Sequence, residues 1–268
     1  MSEPDIRFDM PEEEYRKAPG VNVSRLKRML LSPAHYNYVE PEDERNAALI
    51  VGTLVHRAKL EPHKLAYVVR PAQWDSWRTK DSQAWRDAQT LPVVTPDEEQ
   101  DVLRCVEALE KVELLNELAA RGNTEVTCFR IHERTGLLMK GRADLVATDD
   151  VGNTWILDIK TVLEEGASPD AFSRKIADLN YHMQAAFYAD LFETNRFIFV
   201  AVEKKGFNGV GIYQLDEEDI ELGRRTNNAL LQKLKRCHNE NLWPGYSTTP
   251  RKISLPNWKR KLELEDVL

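Results

Sequence analysis

The sequence predicts an α/β core with a helical N-terminal portion packed on it. Near residue 124, helical periodicity gives way to the apolar–polar alternation that is typical of strands. Helical and strand patterns then follow one another up to residue 215, as in an α/β fold. No Pro-, Gly- or Ser-rich linker divides the 268 residues, so we expect one main domain.

The N-terminal part is predicted to be mainly helical. The expected elements are an irregular arm over 1–20, helices over 22–31, 45–60, 83–89 and 96–120, and a strand over 64–70. Ser32-Pro33 is predicted to stop the first helix, and Arg121-Gly122-Asn123 is predicted to end the last.

The middle of the chain is predicted to hold a three-stranded meander, followed by helices and two more strands. The expected strands cover 124–133, 137–148, 154–161, 196–203 and 209–215, and the expected helices cover 169–179, 181–193 and 216–239. We therefore assign 1–20 to an arm and 21–268 to a single domain. Its core spans about 124–215, and its C-terminal helix and tail span 216–268.

Charge and hydropathy favour a protein of the cytoplasm. The chain has a net charge of −7, yet from residue 224 to the end ten basic residues outnumber four acidic ones. Such a stretch could meet phosphates or could be a solvated helix face, and charge alone leaves both open. The acidic N-terminus lacks the features of a signal peptide, and no apolar run is long enough to cross a membrane.

Two kinds of cofactor are not expected. The three cysteines, Cys105, Cys128 and Cys237, are far apart, which fits neither a disulfide framework nor a zinc site nor an iron–sulfur cluster. The chain also lacks a Walker phosphate loop, so we expect no bound nucleotide.

The residues that indicate chemistry lie on two neighbouring strands of the meander. Asp144 lies on one strand, and Asp158 and Lys160 lie on the next, separated by Ile159. Because side chains alternate along a strand, both charged groups share one face while Ile159 points into the core. Hard oxygen ligands suit Mg²⁺, and the Ile159 carbonyl could add one more. A lysine beside a metal-bound water can orient it, help to take its proton or stabilise charge on the phosphate.

This pattern resembles the core motif of the PD-(D/E)XK nuclease superfamily. Two further segments, Gly52-Thr53-Leu54-Val55-His56 and Gln184-Ala185-Ala186-Phe187-Tyr188, are similar to the helix before the core and the Q-x-x-x-Y helix after it in RecB-type nucleases. Ser32-Pro33-Ala34-His35-Tyr36 and Leu60-Glu61-Pro62 add a likeness to RecE-like (exodeoxyribonuclease VIII) nucleases. The resemblance implies a restriction-endonuclease-like core, a mixed central sheet flanked by helices.

The resemblance also implies roles for individual residues. The implied metal site consists of His56, Asp144, Asp158 and the Ile159 carbonyl, and the ion would be Mg²⁺, with Mn²⁺ expected to substitute. The implied catalytic set is Lys160 with Asp158, Asp144, Gln184, Tyr188 and, on a weaker match, Glu125. Tyr188 has a second interpretation, because it lies on a helix face that also carries Phe187 and Leu191 and could simply belong to the core.

The implied function is a DNA exonuclease of a bacterial or phage-infected cell. It would act 5′→3′ on linear double-stranded DNA ends and leave 3′ single strands for a strand-annealing protein of RecT type. Relatives of this kind form homo-oligomeric rings. An endonuclease or single-strand-specific nuclease with the same centre is one alternative, and a DNA-binding assembly subunit is another. A hydrolase of other substrates is disfavoured because the sequence shows no second His or carboxylate cluster.

Overall fold

A computed structural model of the chain describes residues 3–39 and 47–255, and the side chains of all of these except 47–49. The strands are β1 (Asp5–Arg7), β2 (Val68–Val69), β3 (Val93–Val94), β4 (Asn123–Ile131), β5 (Leu138–Thr148), β6 (Thr154–Val162), β7 (Phe197–Glu203) and β8 (Val210–Tyr213). The α-helices are α1 (Glu12–Lys17), α2 (Val23–Lys27), α3 (Pro33–Asn37), α4 (Ala47–Leu60), α5 (Lys80–Asp87), α6 (Pro96–Glu110), α7 (Glu113–Arg121), α8 (Pro169–Asp178), α9 (Tyr181–Phe192) and α10 (Glu217–Glu240).

One six-stranded mixed sheet organises the fold. Its order is β1-β4-β5-β6-β7-β8, and all neighbours are antiparallel except β6 and β7, which run parallel. The helices α8 and α9 make the crossover between these two parallel strands, as a parallel pair requires. The predicted fold class, a mixed sheet flanked by helices with a helical N-terminal portion, is confirmed.

Helices cover both faces of the central strands, so the hydrophobic core has two halves. Ile156 and Phe199 pack on the half that contains α9 and α10, whereas Leu157 and Ile159 pack on the half that contains α4 and α6. All seven residues of β7 are buried, which explains its nearly unbroken apolar sequence. Ile159 is 1% exposed, which confirms that it points into the core.

The turn between β5 and β6 is held by one carboxylate. Asp149 accepts backbone hydrogen bonds from Val151 at 3.1 Å and Asn153 at 2.8 Å, and one from the Trp155 indole at 2.9 Å. These donors hold the pKa of Asp149 well below its usual range. The turn therefore sets the register in which β5 and β6 pair.

The predicted irregular arm over 1–20 is wrong in its described part. Residues 5–7 form β1, an edge strand that pairs antiparallel with β4, and α1 follows it. The ammonium of Lys140 on β5 is buried and donates to the carbonyls of Tyr15 at 2.8 Å and Ala18 at 2.6 Å. Partners more than 100 residues away order this segment, so its local sequence carries little signal.

One predicted helix end is confirmed and another differs. The first helical segment ends before Ser32-Pro33, as predicted. The same pair begins α3, because the Ser32 hydroxyl caps the His35 N–H and proline suits the first helical turn. The helix predicted over 96–120 is two helices, and the Asn116 amide donates to the Glu110 carbonyl at 2.7 Å across the break.

Other predicted boundaries shift by a few residues. The strand predicted over 64–70 is formed at Val68–Val69 alone, and the helix predicted over 83–89 is Lys80–Asp87. The predicted helix start at Arg45 and the last part of the predicted tail, 256–268, lie outside the described residues. Among the residues that are described, no helix has both the length and the apolar character needed to span a bilayer.

Candidate active site

The pairing of β5 with β6 brings the two predicted carboxylates together. Their ladder pairs Leu145 with Leu157, so Asp144 and Asp158 follow at the next step. At this point the Asp144 carboxylate, rather than a backbone carbonyl of β5, accepts the hydrogen bond of the Ile159 N–H at 3.0 Å. The Asp144 side chain therefore lies where β5 and β6 begin to separate, and this hydrogen bond holds it against β6.

Helix α4 places His56 against the same point. Its Nε2 lies 2.6 Å from the Ile159 carbonyl oxygen, and its Nδ1 lies 3.2 Å from Asp144 Oδ2. Because a carbonyl can only accept, Nε2 carries a hydrogen in this arrangement. Gly52 permits the approach of the helix, since a Cβ at that position would lie 3.1 Å from the Thr161 hydroxyl.

Asp158 and Lys160 form an ion pair that Gln184 completes from α9. The Lys160 ammonium lies 2.6 Å from Asp158 Oδ2, and the Gln184 amide donates to Asp158 Oδ1 at 2.6 Å. Asp158 is 7% exposed, so these two groups compensate a charge that burial would otherwise make costly. Gln184 therefore contacts the carboxylate that holds Lys160, and its implied support of the lysine stays a prediction.

Tyr188 and Glu125 lie beside this group and contact Arg142. The Tyr188 hydroxyl donates to the Arg142 carbonyl at 2.9 Å, while the Arg142 guanidinium lies 2.6 Å from Glu125 Oε2. Tyr188 also packs against Phe192 and Phe197, in agreement with its alternative interpretation as part of the core. Tyr188 thus braces the backbone next to Ala143 and Asp144.

Burial dominates the electrostatics of the carboxylates. It raises the pKa of Asp144, an effect that His56 opposes and Asp158 increases. Burial also raises the pKa of Glu125 to about 7, against the opposing effect of Arg142. For Lys160, burial alone would lower the pKa, but attraction by Asp158 and Asp144 outweighs it, so the pKa rises and the group carries its proton.

These side chains line a cleft of about 1190 Å³. Its lining also includes cations that the sequence motifs did not point to: Arg57, Lys64, Arg142, Lys175 and Lys204. The N-terminal segment closes one side of the cleft through residues 9–12, and Glu12 pairs with Arg57 at 3.3 Å. The same lining holds six acidic side chains, among them Asp9, Glu12 and Glu61, so its basic and acidic groups balance.

The carboxylate and carbonyl oxygens of the site match the ligands that Mg²⁺ prefers. A carboxylate, a backbone carbonyl and an imidazole are in mutual contact at Asp144, Ile159 and His56. Within residues 3–39 and 47–255, no group of three or more His, Cys, Asp and Glu side chains is arranged to hold a metal. Mg²⁺ keeps several waters and needs only one or two carboxylates, so the donor set fits it. The individual ligand roles stay predictions.

Two residues near Lys160, namely Tyr181 and Lys27, belong to no sequence motif. Tyr181 lines the cleft at the start of α9, with its ring 4.7 Å from the Lys160 ammonium, and the Lys27 ammonium lies 5.2 Å from the same ring. Neither residue belongs to a segment whose spacing indicates chemistry. The packing of α2 and α9 on the sheet alone brings them to Lys160.

Fold and site together define a PD-(D/E)XK-type domain. Residues 22–252 match the family described as a PDDEXK-like domain of unknown function (DUF3799), and the chain belongs to that family. A crystal structure from Eubacterium rectale, described as a "putative exonuclease", is 14% identical in sequence. The match covers 96% of this chain and 99% of that one, with a TM-score of 0.63. At that identity the likeness shows the fold.

Two other comparisons add nothing to this assignment. The solved structure of SSO0001 is 19% identical over 77% of this chain and 82% of that one, but the TM-score of 0.31 supports no argument. No curated protein matches the chain. The RecE-like part of the sequence resemblance therefore stays a prediction.

Proposed function

We propose that the protein is a Mg²⁺-dependent DNA nuclease, and that it acts as an exonuclease on linear double-stranded DNA. One observation carries the proposal. Asp144, Asp158 and Lys160 meet on adjacent strands in a cleft with cations at its lining. Two carboxylates and an ammonium at one point are the groups that phosphodiester hydrolysis with a divalent ion requires.

Asp144, Asp158, the Ile159 carbonyl and His56 would hold the ion. When bound, Mg²⁺ polarises the scissile phosphate and lowers the pKa of a bound water. Mn²⁺ is expected to substitute, because carboxylate, carbonyl and water ligands suit it as they suit Mg²⁺.

The side chains around the ion supply position and charge. Lys160 carries its proton and is held by Asp158, so its ammonium can donate to a non-bridging phosphate oxygen and stabilise the negative charge that grows there. Gln184 holds Asp158 in place from α9. Tyr188 fixes the strand beside Asp144 through the Arg142 carbonyl. Arg142 and Lys175, at the lining of the cleft, are suited to bind phosphates of the DNA strand.

The polarity and the biological setting rest on the RecE-like resemblance of the sequence. On that basis we propose 5′→3′ resection that leaves 3′ tails, a homo-oligomeric ring around the DNA, and a RecT-type annealing partner in the cytoplasm of a bacterial or phage-infected cell. A ring could combine an acidic exterior with a basic lining, which would reconcile the net charge of −7 with DNA binding.

The direct test uses linear duplex DNA labelled at the 5′ or the 3′ end, beside a closed circle, with Mg²⁺ and then with EDTA. The expected result is release of mononucleotides from the 5′ label, an intact circle, and no reaction in EDTA. Release of mononucleotides from the 3′ label would show that the enzyme degrades DNA in the opposite direction, 3′→5′. Cutting of the circle would show that it is an endonuclease. DNA binding without cleavage would indicate a binding subunit.

Two variants test the assignment of the centre. Lys160→Ala should abolish cleavage while DNA binding survives, and normal cleavage by this variant would show that the centre lies elsewhere. Asp144→Asn should weaken Mg²⁺ binding, measured by calorimetry, and an unchanged affinity would reject its role as a ligand.

Ca²⁺ should bind without supporting turnover, because its looser coordination activates water poorly.

A further inference from the structure

The ring of Tyr181 lies between the proposed catalytic centre and a second lysine, the half-buried Lys27. Its centroid is 4.7 Å from the Lys160 ammonium and 5.2 Å from the Lys27 ammonium. Both distances fall within the range of roughly 6 Å in which the face of an aromatic ring attracts a cation. Two ammonium groups of different elements, β6 and α2, thus share one ring.

The ring is held in place by its own neighbours. Tyr181 stacks on Phe199 of β7, with 5.7 Å between ring centroids and 24° between ring planes, and it contacts Phe172 of α8 at 6.4 Å. Asn180 precedes it with φ of +52°, a left-handed conformation that turns the chain sharply into α9. The position of the ring is therefore set by the sheet and by the helix start, independently of the lysines.

The two ammonium groups influence one another. Burial lowers the pKa of Lys27 to about 8, and repulsion by Lys160 contributes to this shift. Lys27 is fixed by its hydrogen bond to the Leu179 carbonyl at 2.8 Å. Asp158 holds Lys160 from one side, but a lysine on a flexible four-carbon chain needs a second contact to keep one position.

We propose that Tyr181 is a positioning residue for Lys160, and that its aromatic face, rather than its hydroxyl, fixes the ammonium beside Asp158. The inference rests on the proposed function, since it assigns Lys160 a role in phosphodiester cleavage. Tyr181 lies outside all the motif segments of the sequence, so it would be an additional residue of the site.

The first test separates the ring from the hydroxyl. Tyr181→Phe keeps the ring and should retain kcat within about twofold. Tyr181→Leu removes it and should lower kcat roughly 2- to 30-fold, the range that corresponds to the strength of a cation–π contact, with KM little changed. Tyr213→Leu is the matched control, because Tyr213 stacks on Phe172 in the same aromatic group at 5.0 Å. It should affect stability without a selective loss of kcat.

The second readout does not depend on activity. In the wild type and in Tyr181→Phe, the ε-methylene signal of Lys160 should be shifted upfield by the ring current, as seen by NMR with labelled lysine. In Tyr181→Leu that shift should disappear, and Lys160→Arg identifies the signal.

The outcomes distinguish this inference from the proposed function. If wild type cleaves DNA and Tyr181→Leu matches it in kcat, or if Tyr181→Phe is as slow as Tyr181→Leu, the positioning role is wrong and the nuclease proposal stands. Absence of the upfield shift in wild type would also reject the contact. If wild type cleaves no nucleic acid under any condition, both proposals fail together.

Discussion

A substitution of Gly141, at the start of the Gly141-Arg142-Ala143-Asp144 segment, would test how closely α9 must approach the sheet. A Cβ added there would lie 2.6 Å from Leu191 Cδ1 and 3.4 Å from Tyr188 Cζ. Carbon atoms in contact are normally separated by roughly 3.5–4.0 Å, so the substituted side chain would overlap Leu191 by about 1 Å. Leu191 is 0% exposed, so its side chain would have to shift within the core to make room for the new methyl group.

Gly141→Ala is therefore expected to destabilise the fold by about 1–3 kcal/mol, the usual cost of overpacking a well-filled core. For a chain near this length, each kcal/mol lowers Tm by roughly 2–4 °C. The displacement acts on α9, which carries Gln184 and Tyr188, so cleavage should also slow as their contacts with Asp158 and the Arg142 carbonyl lengthen.

The assay is urea denaturation, with Gly245→Ala as the matched control. A Cβ at Gly245 would meet its nearest neighbour, the Ala34 Cβ, at an ordinary 3.6 Å, so that variant should be nearly neutral. Leu191→Ala in the same protein makes room for the new methyl group, so Gly141→Ala should cost clearly less in that background, with a coupling energy of about 0.5–3 kcal/mol. Equal costs in both backgrounds, or a neutral Gly141→Ala, would refute the argument from close packing.

Three further predictions concern other parts of the molecule. Burial raises the pKa of Glu125 to about 7 from an ordinary 4.5, so the folded state keeps a proton that the unfolded state loses between these values. The free energy of unfolding should fall as pH rises through this window without divalent ions, and Glu125→Gln should flatten the fall; an equally steep curve would contradict this. Burial raises the pKa of Cys105 to about 11 and of Cys128 to about 12, and Cys237 is also buried. A thiol reagent should thus modify none of the three until urea unfolds the chain, and rapid labelling of the native protein would count against the packing. Thr95 caps α6 in a reciprocal capping box with Glu98, so Thr95→Ala should cost about 1 kcal/mol with kcat unchanged; a loss of activity without a loss of stability would be unexpected.

The sequence predicted the part of the site that adjacent strands create. Asp144, Asp158 and Lys160 meet because two strands joined by a short turn place them side by side, and both the alternation and the turn are visible in the chain. Gln184 contacts Asp158 because its helix follows β6 and crosses back over the sheet. Tyr181 and Lys27 carried no such signal, because their positions depend on how α9 and α2 pack on the sheet.

By itself, then, the sequence determined the meander, the two-residue spacing of Asp158 and Lys160, and the burial of Ile159 between them. Each of these follows from alternation along a strand and from a turn whose donors and acceptor lie within six residues. That His56 lies near Ile159, 103 residues further along the chain, was implied only by the family resemblance and by no local pattern. The tertiary structure alone decided that residues 5–7 join the sheet. It also decided that one aromatic ring serves two lysines. Such contacts form only when elements that are distant in the sequence bury their apolar faces against each other. The polar residues that meet in this way show no periodic pattern in the sequence.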